Sequence, residues 1–592
     1  MTPFNKLSLL REKMKEKNID AYIIASADPH MSEYLPDRYK NMEWLSGFTG
    51  SAGTLVITAD FAGLWTDSRY FVQAGEQLKD TGFELVKLKN QGAPEYIDWL
   101  AKHLTQDATV GFDGKLMSIA VAKEAIETLQ TRNIRVISDI DLIDDIWTDR
   151  PSLPTEKAYL LDEETTGKSV AEKISEIRSR LRESGATAHL ISSLDDISWI
   201  FNLRGSDVKC NPVVLSFAII EPEDVQLFID KTKLSGDDIE KLHRSKVSIQ
   251  EYDAIEHAIT SLPGDATVFV DPKRNCFAYY SLIPTTCKKV ENINPSTFLK
   301  AVKNEVELTH TRTTMVKDGT ALTNFFYWLE MSIGKKEITE ITIAEKLKEF
   351  RAKQEGFVGE SFDTIAGYKA HGALPHYKAT EENKSTLEPN GLLLIDSGGQ
   401  YTTGTTDITR VISLGNPSPE EKRDYTLVLK AMIEGSTTNF PTGTKGYQID
   451  AITRRPLWDH FKNYGHGTGH GVGFFLNVHE GPHVFNTANI NIAIEPNMIT
   501  SIEPGLYIEG RYGIRIENLV ASHIEAENQF GQFQCFETLT LCYIETSLVD
   551  KDLLNDKHIE WLNNYHAVVF EKISPHLDNS EREWFKNKTK AI

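Results

Sequence analysis

Apolar positions along this chain follow two rhythms, and the rhythms themselves recur. Leu10 to Ser26 carries apolar residues at three-to-four spacing, a short break and an unbroken apolar run, which predicts a helix leading into a buried strand. Ile177 to Ser193 repeats that order, and Trp44 to Ser51 is echoed by Trp199 to Ser206. These echoes predict two homologous α/β domains, residues 1–150 and 151–302. The second opens after Pro151 and Pro154, whose fixed φ suits a boundary. A new helical pattern starts at Lys300. Its apolar residues Leu308, Met315, Leu322, Phe325, Trp328 and Leu329 fall mostly on one face and predict a core helix rather than a ligand set. Beyond it, helical stretches alternate with antiparallel strand pairs. A helical, aromatic-rich tail (Trp561, Tyr565, Phe570, Trp584) closes a third domain, 303–592, and either covers that domain or meets a partner subunit.

The third domain contains a second duplication. Glu388-Pro389-Asn390 leads six residues on to Asp396-Ser397-Gly398, and Glu495-Pro496-Asn497 leads at the same spacing to Glu503-Pro504-Gly505. Each copy places a carboxylate after an Ile that ends an apolar run. A second carboxylate follows in each, Asp407 after eleven residues and Glu517 after fourteen. Leu392 to Ile395 predicts a buried strand, Gly398, Gly399 and Gly404 permit a turn, and Ile408 to Val411 returns as its partner. Ile499 to Ile502, Gly505, Gly510 and Gly513 to Glu517 repeat the scheme, so the two acids of each copy are expected to face each other across a hairpin.

A carboxylate at the end of a buried strand costs several kcal/mol to desolvate unless positive charge answers it. No Lys or Arg run matches these four, although Arg410 and Arg515 are candidates for individual salt bridges. Two divalent cations would balance them, since a carboxylate can bridge metals roughly 3.5 Å apart. Between the copies lies His466-Gly467-Thr468-Gly469-His470-Gly471. The glycines disfavour a helix and predict a loop or strand that approaches metals or substrate closely, with one imidazole as ligand and the other as proton donor. So oxygen-rich a set favours Mn²⁺, with Zn²⁺, Co²⁺ and Fe²⁺ as alternatives. His376 and His479 have suggestive neighbours; His371 and His483 take a structural reading.

Composition removes other classes. The chain has 592 residues, too many for one core. A formal charge of −21 argues against nucleic acid and anionic membrane as partners. Five cysteines, Cys210, Cys276, Cys287, Cys535 and Cys542, show no CxxC spacing and predict buried or half-buried free thiols. There is no apolar signal core and no run of eighteen apolar residues, so a cytoplasmic location is expected.

Residues 376–517 resemble the metallopeptidases of the creatinase/aminopeptidase, or pita-bread, fold. Within that fold the likeness is to the Xaa-Pro aminopeptidase (aminopeptidase P) family of the long, three-domain cytosolic type. It extends to Ser46 to Thr54, Trp65 to Phe71, Asn202 to Asp207 and His466 to Gly473; Leu506 is a small departure, where an aromatic is common. The resemblance implies two tandem creatinase-N-like α/β domains before a pita-bread catalytic domain. It implies five metal ligands: Asp396 on one ion, His470 and Glu503 on the other, Asp407 and Glu517 bridging. It implies that His376, His466 and His479 line the substrate and assist catalysis, with Tyr507 and Arg515 as a supporting hydrogen-bonded shell. The expected reaction is metal-dependent release of the first residue from short peptides with proline second, through a dimetal-bridged hydroxide, by a homodimer. The alternatives are a prolidase acting on Xaa-Pro dipeptides and a non-catalytic peptide-binding module on the same fold.

Overall fold

The computed structural model describes residues 1–90 and 92–592. The chain divides into two units, Met1–Glu163 with Lys168–Thr297, and Glu164–Gly167 with Phe298–Ile592.

The first unit holds two six-stranded sheets of identical topology. In spatial order the first is Glu84–Lys87, Ala62–Thr66, Thr54–Thr58, Ala21–Ala25, Thr109–Phe112 and Arg135–Ile137. The second is Ser248–Gln250, Val225–Ile229, Ser216–Ile220, Ala188–Ile191, Thr267–Val270 and Lys288–Glu291. In both, the third-ranked strand pairs antiparallel with its two neighbours and the remaining pairs are parallel. The repeat read from Leu10 and Ile177 is therefore a structural repeat. Each copy runs from a helix, Pro3–Glu16 or Val170–Ser184, into the strand Ala21–Ala25 or Ala188–Ile191. The strands are apolar without alternation because both faces are covered. The helix Val170–Ser184 starts on a Ser169–Glu172 capping box and stops at left-handed Gly185.

The second unit repeats a different scheme, two helices followed by a strand pair. Glu305–Ser332 and Glu340–Arg351 precede a three-stranded sheet in the order Ile365–Tyr368, Leu392–Ser397, Ile408–Ser413. Pro419–Ser436 and Gly446–Trp458, with the short strand Phe440–Pro441 between them, lead into a six-stranded sheet whose order is Phe440–Pro441, Gly531–Thr538, Asn518–Asn528, Ile499–Ile502, Gly469–Gly471, Glu480–Phe485. Leu308, Met315, Leu322, Phe325 and Leu329 are buried in the core of this unit, as the stripe predicts, and Trp328 packs at its margin.

The tail covers its own unit. Its helices Asp556–Ile573 and Asn579–Lys588 lie against Glu305–Ser332. Arg410 fastens it: the buried guanidinium donates to the carbonyls of Thr409, Glu517, Cys542 and Tyr543 and to the side chains of Asn518 and Tyr565. Arg410 is thus no salt-bridge partner of the four acids, because backbone and neutral side-chain oxygens take up its donors. All five cysteines are free. Among the described residues no helix is long and apolar enough to cross a membrane.

Candidate metal centre

Both strand pairs deliver their acids in the same way. Leu392–Ser397 pairs with Ile408–Ser413, and Ile499–Ile502 with the start of Asn518–Asn528. Between the paired strands each copy makes a two-stranded excursion, Gly399–Tyr401 with Gly404–Thr405 in the first and Gly505–Ile508 with Tyr512–Arg515 in the second. The acids stand where strand meets excursion. One detail differs from the expected facing pair: Asp396 is opposite Thr409, and Asp407 precedes its strand. The glycine-rich turn carries its own short ladder, which displaces Asp407 from the register.

Of the Gly-cushioned histidines, His470 falls on the strand Gly469–Gly471, beside Ile499–Ile502, and His466 lies in the bend that precedes it. A Cβ on Gly469 would lie 1.8 Å from the Ser501 carbonyl oxygen, so only glycine lets this strand come so close. That approach places His470 Nε2 3.4 Å from both Asp407 Oδ2 and Glu503 Oε1. Ligand atoms of Asp407, His470 and Glu517 all lie within 4.8 Å of one another. Asp396 joins through Arg515, whose guanidinium hydrogen-bonds its Oδ2 and whose Nε is 4.0 Å from Glu503 Oε2.

Around these acids runs a directed set of hydrogen bonds. Arg515 Nη1 donates to Tyr507 Oη at 2.6 Å, and Tyr507 Oη lies 2.8 Å from His466 Nε2. His466 Nδ1 lies 2.7 Å from the Gly467 carbonyl. The carbonyl can only accept, so the network assigns the proton to Nδ1, and Nε2 accepts from Tyr507. Arg515 Nε also donates to Thr409 Oγ1 at 3.1 Å, and Thr409 Oγ1 donates to Glu517 Oε2 at 2.9 Å. His470 Nδ1 is 3.0 Å from the Gly471 carbonyl, which fixes its tautomer and turns the Nε2 lone pair toward the acids, the usual second contact of a metal-binding imidazole.

The remaining histidines flank this centre. The His479 ring stands edge-on to His470 with centroids 4.3 Å apart. His376 follows Pro375, whose carbonyl accepts from Arg515 Nη2 at 3.4 Å. That loop is seated by Gly513, where a Cβ would fall 1.6 Å from the Gly372 carbonyl oxygen. His371 and His483 are structural, as read: His371 bonds Glu340 at 2.9 Å, and buried His483 bonds Thr500 at 3.0 Å.

Sequence reasoning missed three supports of the centre: Thr409, Ser501 and the clamp on Glu480. Ser501 accepts from the His470 amide at 3.0 Å and donates to Glu503 at 3.2 Å. Glu480, next to His479, is 1% exposed, hydrogen-bonded by Lys303 and 3.5 Å from Lys300 Nζ. Ser501 sits two residues before Glu503 and could have been found by strand alternation; the lysines are too distant in sequence to signal anything.

The electrostatics ask for cations. Exposure of Asp396, Asp407 and Glu517 is 8%, 4% and 1%, and Asp396 Oδ1 and Glu517 Oε1 are buried with no hydrogen-bond partner. Burial pushes Glu503 up to about 7, against the pull of His470 and Arg515. Burial, then the neighbouring acids, hold Glu517 well above the usual carboxylate range. Asp396 is also raised by burial, despite Arg515. His470 goes the other way: burial opposes its charge, but Asp407 and Glu503 push it up to about 9. Four acids against one arginine, with two orphaned carboxylate oxygens, are a donor set that fits a pair of divalent cations.

Comparison with known proteins agrees with this geometry. Residues 310–522 match the model of metallopeptidase family M24, and 532–592 match the C-terminal region of that peptidase. Residues 6–145 and 149–307 each match a creatinase/prolidase N-terminal domain. Aminopeptidase P2 of Arabidopsis thaliana is 39% identical over 99% of this chain and 88% of its own length. A probable Xaa-Pro aminopeptidase P of Paracoccidioides brasiliensis is 39% identical over 99% of both chains. The chain belongs to the aminopeptidase P family of M24 metallopeptidases. A solved relative, the X-prolyl aminopeptidase of Caenorhabditis elegans, a cytosolic enzyme with a di-nuclear active site, is 35% identical and superposes over 100% of both chains with a TM-score of 0.96. The prolidase of Pyrococcus horikoshii shares the fold, at 21% identity over 63% of this chain with a TM-score of 0.50. This aminopeptidase P family member therefore has two tandem creatinase-type α/β domains followed by a pita-bread metallopeptidase domain.

Proposed function

We propose that the chain is a metal-dependent aminopeptidase that releases the N-terminal residue from peptides with proline in second position. The observation that carries this reading is the cluster of buried Asp396, Asp407 and Glu517 with half-buried Glu503 and His470, in which two carboxylate oxygens are left without partners. These five residues would hold two divalent cations. Mn²⁺ is the proposed metal, because four carboxylates and one imidazole form a hard donor set. The pair would supply a nucleophile from water near neutral pH and neutralise charge on the scissile carbonyl.

The chain's own groups do the rest. The free α-amine of the substrate would bind beside the Asp396 carboxylate, which would restrict cutting to the amino terminus. His376, His466 and His479 line the substrate, and an imidazole donor to the developing oxyanion contributes about 3–4 kcal/mol. Tyr507, held by Arg515, keeps His466 Nε2 able to take a proton. The leaving nitrogen is a proline nitrogen without N–H, so it must be protonated as it departs. Glu517 or Glu503 would carry that proton to the leaving nitrogen. We also propose domains at 1–150, 151–302 and 303–592, a cytoplasmic location, and a homodimer through the catalytic unit.

Hydrolysis of Arg-Pro-Pro and of the dipeptide Arg-Pro with Mn²⁺ present tests the reading. Tripeptide cleavage well above dipeptide cleavage, lost in Asp407→Ala, is expected. Dipeptide preference would make the enzyme a prolidase. Wild-type turnover by Asp407→Ala would remove Asp407 from the ligand set.

A further inference from the structure

A second group of metal-ligating side chains lies farther along the strand that begins after Glu517. Asn518–Asn528 pairs with Gly531–Thr538, and the register sets His523 directly opposite Cys535. The pairing shifts between Ile524 and Ala526, leaving Glu525 as the extra residue of a β-bulge. Cys535 Sγ lies 3.2 Å from His523 Nε2 and 3.4 Å from Glu525 Oε2, and His523 Nε2 lies 3.5 Å from the same carboxylate oxygen. Among the described residues, the other trio that converges this closely is Asp407, His470 and Glu517 in the candidate centre itself.

These spacings carry chemical meaning. A tetrahedral zinc ion with bonds of about 2.0–2.3 Å needs its ligand atoms about 3.3–3.6 Å apart. Thiol, imidazole and carboxylate therefore already mark one face of such a tetrahedron. The fourth corner is open to solvent, since the His523 and Glu525 side chains are 43% and 56% exposed. We propose that His523, Glu525 and Cys535 form a second metal site, which takes a borderline-soft divalent cation of the Zn²⁺ type. Sulfur and imidazole donors select such an ion over the harder Mn²⁺ that suits an oxygen-rich set. At about 3.3 Å per residue, the six residues from Glu517 to His523 put this site roughly 20 Å from the catalytic acids.

The alternative use of a surface cysteine is redox chemistry, and the surroundings oppose it. Burial and the Glu525 carboxylate push the Cys535 thiol up to about 11, so at neutral pH it keeps its proton and is a poor nucleophile toward oxidants. A cation reverses this: as the sulfur–metal bond forms, the thiol proton leaves to solvent and Glu525 exchanges a hydrogen bond for a metal bond. The bound ion would join the two strands of the hairpin across their exposed end.

The test uses the full-length enzyme with its catalytic centre loaded with Mn²⁺. Dialysis against Zn²⁺ and elemental analysis should find one more zinc per chain in the wild type than in Cys535→Ser or His523→Ala. Titration with Co²⁺ should give a thiolate-to-cobalt charge-transfer band that Cys535→Ser abolishes; the catalytic set contains no thiol and cannot produce it. Both variants should keep wild-type tripeptide hydrolysis, which shows that they fold and that the loss is local. Equal zinc content in wild type and both variants, or a cobalt band that persists in Cys535→Ser, would overturn the assignment.

Discussion

Both units of this chain are built by duplication, and in both a buried strand runs out toward acids. In the N-terminal unit Ala21–Ala25 leads through Ser26 to Asp28, and the matching strand Ala188–Ile191 leads through Ser193 to Asp195 and Asp196. Asp28 Oδ1 accepts the amides of His30 and Ser32 at 2.9 Å. Asp196 accepts from Ser193, Asn294 and Thr297, and Asp195 is paired with Arg274. Each repeat meets its acids with donors of its own, although Asp28 Oδ2 is itself buried without a partner; here the acids of the two repeats do not share one cluster. In the catalytic unit the acids of both copies converge, Arg515 is the one guanidinium among the described residues hydrogen-bonded to their carboxylates, and two oxygens of that single cluster are left over. Duplication by itself supplies a scaffold. Chemistry arises where the two copies aim charge at one place and leave it unanswered.

Substitutions at matched places break or sharpen this contrast. The largest effect is expected at Asp407. Asp407→Ala removes several kcal/mol of charge stabilisation, a loss of about 10³-fold or more in kcat/KM on a Xaa-Pro tripeptide. Lys303→Met comes next. It leaves Glu480 buried beside Lys300 alone, and should cost about 3 kcal/mol in denaturant unfolding. It should also lower kcat, because His479 adjoins Glu480. Asp196→Asn is the counterpart in the other unit. It should cost about 2 kcal/mol of stability by weakening three hydrogen bonds to a charged acceptor, and leave kcat/KM of the folded enzyme unchanged. Tyr507→Phe is the mildest. It removes the link between Arg515 and His466, and kcat should fall about 10- to 100-fold with little change in the unfolding midpoint. A kinetic defect in Asp196→Asn as large as that of Asp407→Ala would erase the distinction between scaffold and site.

What could be read without coordinates follows the same division. Both duplications were legible, because helix-then-strand periodicity and the Glu-Pro-Asn phrases are local signals that recur at fixed spacing. Asp396 and Glu503 were legible because each ends an apolar run, Asp407 and Glu517 because a second carboxylate follows in each copy, and Gly469 and Gly471 marked a close approach. The sequence did not reveal how these pieces close on one another. Arg410 looks like a counter-charge from its place beside Asp407, yet it ties the C-terminal tail through Cys542, Tyr543 and Tyr565, which become neighbours only on folding. Lys303 and Glu480 are 177 residues apart. His523 and Cys535 become opposite partners only once the hairpin register and its bulge are fixed.

The central claim is that acids from both copies of the catalytic duplication hold two cations. Its most direct test is a count of Mn²⁺ on the chelator-stripped, reloaded enzyme, for wild type and for Asp407→Ala, beside turnover of the stripped protein. The account predicts two Mn²⁺ per wild-type chain, fewer in the variant, and no turnover until metal is restored. Two Mn²⁺ retained by Asp407→Ala, or full cleavage by the stripped enzyme, would contradict it.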